Sequence, residues 1–209
     1  MTSVLHDERL TAAVAAVRAT GAGSVLDLGC GDGDLILRLA GEPGIGRILG
    51  LDIDRAALTR LRARLDRLPD AARARVTVQA GSMIEASPAL CGFDCATLIE
   101  TIEHLAPADL SRLERAVFAG MRPRSVVVTT PNAEFNRLLG VPAQRMRHPG
   151  HRFEWDRARF ARWAGGIAAR HGYRVRTGPV AGCHPDLGGA SQMAVFALPA
   201  APDRSSPGV

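Results

Sequence analysis

Apolar positions along this chain switch between two spacings, and the switching predicts helices and strands in alternation. Residues 5–19 carry Leu10, Val14 and Val17 at i, i+4 and i+7, the spacing of an amphipathic helix expected to cover one edge of the fold. Short, largely apolar runs follow at 24–28, 47–51, 93–99 and 125–130, and 75–80 is expected as the third strand. Such runs read as strands buried on both faces, the habit of parallel sheets. Helices are expected between them: one through Leu35, Leu39 and Ala40, one over 55–68 with Leu58, Leu61, Leu65 and Leu68 on one face, and one over 107–120 with Leu110, Leu113 and Val117 inward. Thr130-Pro131-Asn132 breaks the pattern, because proline denies Thr130 a helical conformation and Asn132 suits a turn. Residues 141–151 read as a loop, and Asp156 suits the N-cap of a helix in which Phe160, Trp163 and Ile167 keep core spacing. Runs at 173–180 and 193–198 complete the sheet as an antiparallel pair. Residues 1–198 thus read as one domain, and the small, polar, proline-rich tail 199–209 is expected to be disordered.

Composition narrows the class. At 209 residues and 46% hydrophobic, the chain can bury a core without disulfides or a structural metal. No apolar run approaches the ~20 residues of a membrane span, and the N-terminus lacks a charged-then-apolar signal layout, so a cytoplasmic protein with no membrane partner is expected. Cys30, Cys91, Cys95 and Cys183 show no paired spacing and read as reduced thiols. The net charge of +5 permits an anionic partner. Since every one of the 26 basic residues is arginine, a coding bias explains overall basicity as well as nucleic acid does, and local clusters such as Arg145, Arg147 and Arg152 carry more weight.

The strongest local chemistry near the start is Asp27-Leu28-Gly29-Cys30-Gly31-Asp32-Gly33, a strand running into a glycine loop that opens a helix. Glycines there allow positive φ and let the backbone approach a ligand, although a glycine turn alone is also compatible with a purely structural role. Asp52 ends the next strand about 20 residues on, where such folds place an acid that accepts from a ribose. With Leu51-Asp52-Ile53-Asp54, this stretch resembles the class I S-adenosylmethionine-dependent methyltransferases over most of residues 24–130. The resemblance implies an α/β, Rossmann-like fold: a seven-stranded, mostly parallel sheet flanked by helices. It also implies S-adenosylmethionine as cofactor, bound by Asp27, Gly29, Gly31, Gly33 and Asp52, with the glycines near its amino-acid part and Asp52 on its ribose hydroxyls. After the third strand, where many relatives place an acid near the adenine amine, the chain reads Gly81-Ser82-Met83, which leaves Ser82 to accept that hydrogen bond.

Glu100-Thr101-Ile102-Glu103-His104 puts three metal-capable side chains directly after the fourth strand, at the carboxyl edge where open α/β sheets bind ligands. On a helical turn, positions 100, 103 and 104 would share one face. The plain alternative is a solvated acidic turn, but residues 148–155, His-Pro-Gly-His-Arg-Phe-Glu-Trp, offer further imidazoles from a loop. Together with Thr130-Pro-Asn132-Ala-Glu-Phe-Asn136 and Ser191-Gln192-Met193-Ala194-Val195-Phe196, these segments look like the small-RNA 3′-terminal ribose 2′-O-methyltransferases of the Hua-enhancer type. That resemblance implies a divalent metal held by Glu100, Glu103, His104 and His151, the expected catalytic set. Its partners would be an RNA 3′ end and an RNA-repair or RNA-processing protein. Two carboxylates and two imidazoles with open positions suit Mn²⁺, Co²⁺ or Mg²⁺ better than a closed zinc site. Such a metal would orient the ribose 2′ oxygen, and Arg145, Arg147 and Arg152 would hold adjoining phosphates. Phe153 and Trp155 fit the core better than a base-stacking role. Two other functions fit the same residues: a metal-dependent O-methyltransferase of a small vicinal diol, and a catalytically silent binding subunit of this fold.

Overall fold

In the computed structural model, which describes residues 4–200, seven strands form one sheet in the order β3-β2-β1-β4-β5-β7-β6. The strands are β1 (Ser24–Leu28), β2 (Arg47–Asp52), β3 (Val76–Ala80), β4 (Cys95–Ile99), β5 (Ser125–Pro131), β6 (Arg174–Val180) and β7 (Ser191–Ala197). β1 to β5 run parallel, whereas β7 lies antiparallel between β5 and β6, pairing Thr130 with Gln192 and Pro131 with Ser191. The expected α/β class I methyltransferase fold is therefore present. The strand order reverses at the β1–β4 boundary, which opens a crevice at the carboxyl ends of those strands.

The central strands β1, β2, β4 and β5 read as largely apolar runs because both of their faces are covered. Leu26, Leu28, Leu49, Leu51, Leu98, Val126 and Val128 pack on one side with α6 (Arg157–His171). Val25, Ile48, Cys95 and Val127 pack on the other, against α1 (Val4–Ala19), α2 (Asp34–Leu39) and α3 (Arg55–Leu65). Asp156 caps α6 by accepting from the Arg159 amide at 2.6 Å, as its position predicts.

The structure corrects several boundaries. The helix expected over 55–68 stops at Leu65, since Pro69 restricts the residue before it; the chain then makes a short α4 (Asp70–Arg73). The helix expected over 107–120 forms, but in three hydrogen-bonding geometries: a 3₁₀ turn (Pro107–Asp109), α5 (Leu110–Glu114) and a π-helical segment (Arg115–Met121). After β5, Asn132 is buried and accepts from the Glu134 amide, starting a 3₁₀ helix (Ala133–Leu139) where only a break was expected. Phe153 and Trp155 are buried and stacked on each other at 4.3 Å, in the core as expected. The tail expected at 199–209 lies outside the described residues from position 201 on. Among the described residues no helix is long and apolar enough to cross a membrane.

Candidate active site

The crevice is built first by the loop after β1. The Gly29 and Cys30 amides both donate to the Leu51 carbonyl, which locks this loop onto the end of β2. Asp52 then reaches back: one carboxylate oxygen accepts from the Gly31 amide at 2.7 Å and the other from the Asp54 amide at 2.8 Å. Gly31 has φ +52 with open space where a Cβ would stand, so a side chain there would project into the crevice from a strained backbone. Gly33 has φ +81, and a Cβ on it would stand 2.1 Å from a Leu61 methyl; glycine is what lets α2 and α3 approach so closely.

Two hollows meet over this loop. One of about 500 Å³ is lined by Asp52, Gly81, Met83, Thr101 and His104 among others; the second, about 240 Å³, is lined by His6, Arg9 and Asp27. Both are bounded by Gly29, Gly31, Asp32 and Glu100, so they form one continuous site. Asp27 is buried and accepts from the Thr97 hydroxyl at 2.6 Å. Burial pushes its carboxyl up to about 7 against the effect of that hydrogen bond, which makes it a group that a nearby cation would ionise. Ser82 departs from expectation. The crevice is walled by Gly81 and Met83, while the Ser82 hydroxyl accepts from the Ile84 amide at 3.4 Å, because the chain turns locally there.

The acidic turn after β4 also differs from a simple helical face. Glu100 is a left-handed residue (φ 53) outside the 3₁₀ turn (Ile102–His104), and its amide donates to the Thr129 carbonyl and hydroxyl. The kink separates Glu100 from the face shared by the next turn. Glu100 pairs with Arg9 at 3.3 Å and accepts from the Ser191 hydroxyl at 3.2 Å, yet its other oxygen is buried with no partner. Glu103 is fully buried and accepts from the Thr130 hydroxyl at 3.0 Å; its second oxygen is likewise without a partner. Burial, then the charge of Glu100, holds the Glu103 carboxyl well above the usual range.

His104 at the end of this turn meets His148 and His151 from the loop, and the three imidazoles each have a ligand atom within 4.8 Å of the others. Glu100 and Glu103 are not part of that close set. Hydrogen-bond partners distinguish the three rings. His104 Nδ1 lies 3.2 Å from the Gly150 carbonyl, which can only accept, so Nδ1 carries the proton and Nε2 the lone pair. His151 Nδ1 contacts the Glu154 carboxylate, with the same consequence. His148 Nδ1 instead accepts from the Gly150 amide at 3.0 Å, which puts its proton on Nε2. Two of the three rings are thereby prepared as Nε2 ligands, and His148 is prepared as a donor. Burial, followed by the neighbouring His151, keeps the His104 pKa low and the ring neutral, as a ligand needs.

Glu154, to which the sequence alone assigns no role, organises the loop. One of its oxygens accepts from both His151 and the Arg147 amide, the other from the Asn136 side chain. Burial works to raise the Glu154 carboxyl, but the bonds from His151, Asn136 and the Arg147 amide outweigh it and hold it below its ordinary value. Its spacing three residues after His151 was the available signal. Arg147 is a correction: its guanidinium donates to the Asn136 side chain and to the Ala190 and Asn132 carbonyls, so it fastens the loop and is not free for phosphate. Arg145 and Arg152 remain exposed. The Arg152 amide donates to the Glu103 carbonyl at 2.7 Å, which fixes the histidine loop against the acidic turn.

Residues 26–127 match a family model described as a methyltransferase domain. A small RNA 2′-O-methyltransferase of Gallus gallus is 41% identical over 183 residues, covering 82% of this chain and 48% of the relative. The chain thus spans about half the length of such curated relatives. The solved methyltransferase domain of a bacterial Hen1 protein, CtHen1-C, superposes with a TM-score of 0.84 at 37% identity, covering 94% of this chain and 100% of that one. The small RNA methyltransferase HEN1 superposes with a TM-score of 0.82 at 31% identity, over 93% of this chain and 26% of that chain.

Proposed function

The chain belongs to the small-RNA 2′-O-methyltransferase family, within the class I methyltransferases, and from that membership we propose that it transfers a methyl group from S-adenosylmethionine to the 2′ hydroxyl of an RNA's 3′-terminal ribose. S-adenosylmethionine would lie across the two joined hollows, with Asp27, Gly29, Gly31 and Gly33 around its amino-acid part and Asp52 on its ribose. Asp52 has one amide on each oxygen, and each oxygen keeps a lone pair for a ribose hydroxyl. Asp52→Ala is expected to weaken S-adenosylhomocysteine binding by about 1–3 kcal/mol, and Asp52→Asn by less because one acceptor survives. Calorimetry on both variants checks this; equal affinity in folded Asp52→Ala protein removes Asp52 from the site.

The observation that carries the metal part of the reading is the pair of buried, partnerless oxygens on Glu100 and Glu103, in the segment that also carries His104, together with the open Nε2 atoms of His104 and His151. A buried carboxylate without a partner is costly, and a divalent cation relieves it. The donor set therefore fits Mn²⁺, Co²⁺ or Mg²⁺ held by Glu100, Glu103, His104 and His151, with nitrogen ligands favouring the first two. Such an ion, when bound, supplies Lewis acidity that lowers the pKa of a ribose hydroxyl. The residues of the chain do the positioning: Thr130 and Ser191 orient the carboxylates, Gly150 and Glu154 set the two imidazole tautomers, and His148 offers its Nε2–H to the substrate side. Glu154→Gln removes the charge that orients His151, and is expected to weaken Mn²⁺ binding by about 10–100-fold while leaving S-adenosylhomocysteine affinity unchanged. Incubating the protein with labelled S-adenosylmethionine, Mn²⁺ and a short RNA tests the whole reading. A product still cleaved by periodate, or no product, defeats it.

A further inference from the structure

We infer that the groove between the 3₁₀ helix (Ala133–Leu139) and the loop 141–146 seats the nucleotides that precede the methylated one, as a single-stranded track leading to the metal-side histidines. The inference rests on the RNA reading above and goes beyond it by naming where and how the strand is held. The groove has a volume of about 670 Å³ and is walled by Arg137, Arg145, Met146, Phe153 and Glu154 among others. It is continuous with the active site, because Glu154 both lines it and holds His151.

Its surface chemistry is unusual for this chain. Large apolar side chains are exposed at only five described positions; Met146 at 42% lines this groove, and Leu138 at 49% and Leu139 at 41% follow its lining residue Arg137 on the 3₁₀ helix that borders it. Exposed Arg137 and Arg145 stand among them and hold no ion pair or side-chain hydrogen bond. The acids of the groove are already satisfied, Glu134 by Arg157 and Glu154 by His151, Asn136 and the Arg147 amide, so the field left over is positive. Apolar faces interleaved with unpaired arginines are what a flexible, unstacked polyanion with flat bases calls for: the arginines take phosphates, and the leucines and methionine take base faces without reading sequence. An apolar protein segment would gain nothing from the two uncompensated arginines. A base-paired duplex would hide the faces that Leu138 and Met146 offer.

Two variants test this, Arg137→Ala/Arg145→Ala and Leu138→Ala/Met146→Ala, all at exposed positions whose truncation leaves the core intact. Methyl transfer is measured on a dinucleotide and on a ten-nucleotide single strand of the same 3′ end. Wild-type protein should show a lower KM for the longer RNA. Each variant should raise that KM by about tenfold while the dinucleotide reacts as before, and loss of both arginines should flatten the log–log salt dependence of binding by about 0.7 per contact. A wild-type protein inactive on every RNA 3′ end defeats the substrate reading itself. An active wild type whose variants keep the same KM for the long strand overturns the groove assignment alone, and leaves this patch to a protein partner.

Discussion

Replacing Glu103 with alanine will abolish methyl transfer to an RNA 3′ end, by more than about 10²-fold, while S-adenosylhomocysteine still binds. The expectation follows from the separation of the two halves of the site. The cofactor hollows are walled by the β1 and β2 loops and by Glu100, Thr101 and His104 but not by Glu103, which is fully buried against Thr130 with one oxygen left without a partner. Chelator should have the same effect on the unaltered protein, and Mn²⁺ or Co²⁺ should restore activity better than Mg²⁺. A readout independent of turnover exists. Because the native Glu103 carboxyl is held above its unfolded value, the folded protein binds the extra proton. That stability is present below the ordinary carboxylate pKa and is lost as pH rises through the native one. Metal-free protein should therefore lose thermal stability over that window, Mn²⁺ should stabilise more as pH rises, and Glu103→Gln should flatten both trends. Full activity of Glu103→Ala in the presence of chelator would sink the metal reading.

An RNA that ends in a 3′-phosphate, a 3′-deoxyribose or a 2′-deoxyribose should react at least about 10²-fold more slowly than its diol twin, because a site built around substrate oxygens leaves its own polar groups unpaired when one is missing. The groups at stake are named: Glu100 and Glu103 each carry a buried oxygen without a partner, and His148 presents a donor. Nothing in the described site selects a base at that position, so changing the terminal base should alter the rate far less. Periodate resistance of the product, and mapping of the label to the last nucleotide, check both statements. Methyl groups at internal nucleotides, or equal rates for the phosphorylated and hydroxyl ends, would show that the terminal diol is not what is recognised.

The parts of this protein that the sequence alone determined are those with local causes. A run such as Cys95–Ile99 is apolar at every position but Thr97 because both faces of a central parallel strand are covered, and no neighbour needs to be known to see it. Likewise the glycine loop and Asp52 sit at fixed offsets because backbone geometry demands positive φ at Gly31 and Gly33 and an acceptor one strand away. Glu103, His104 and His151 were visible as metal-capable types at a strand end and in a loop.

Only the tertiary structure decided how those groups face one another. The left-handed conformation of Glu100 follows from its amide meeting Thr129 on the adjacent strand, a pairing that no pattern within residues 100–104 encodes. Arg147 looked like a phosphate ligand by composition, but three acceptors outside its own loop, the farthest 43 residues away, draw its guanidinium inward. The tautomers of His104 and His148 depend on whether a carbonyl or an amide of Gly150 arrives, and for His104 that partner lies 46 residues along the chain. Periodicity and turn chemistry are properties of neighbours in sequence. Hydrogen-bond partnership in a buried site is a property of neighbours in space, and it was the folding of loop 141–156 over the end of β5 that chose it.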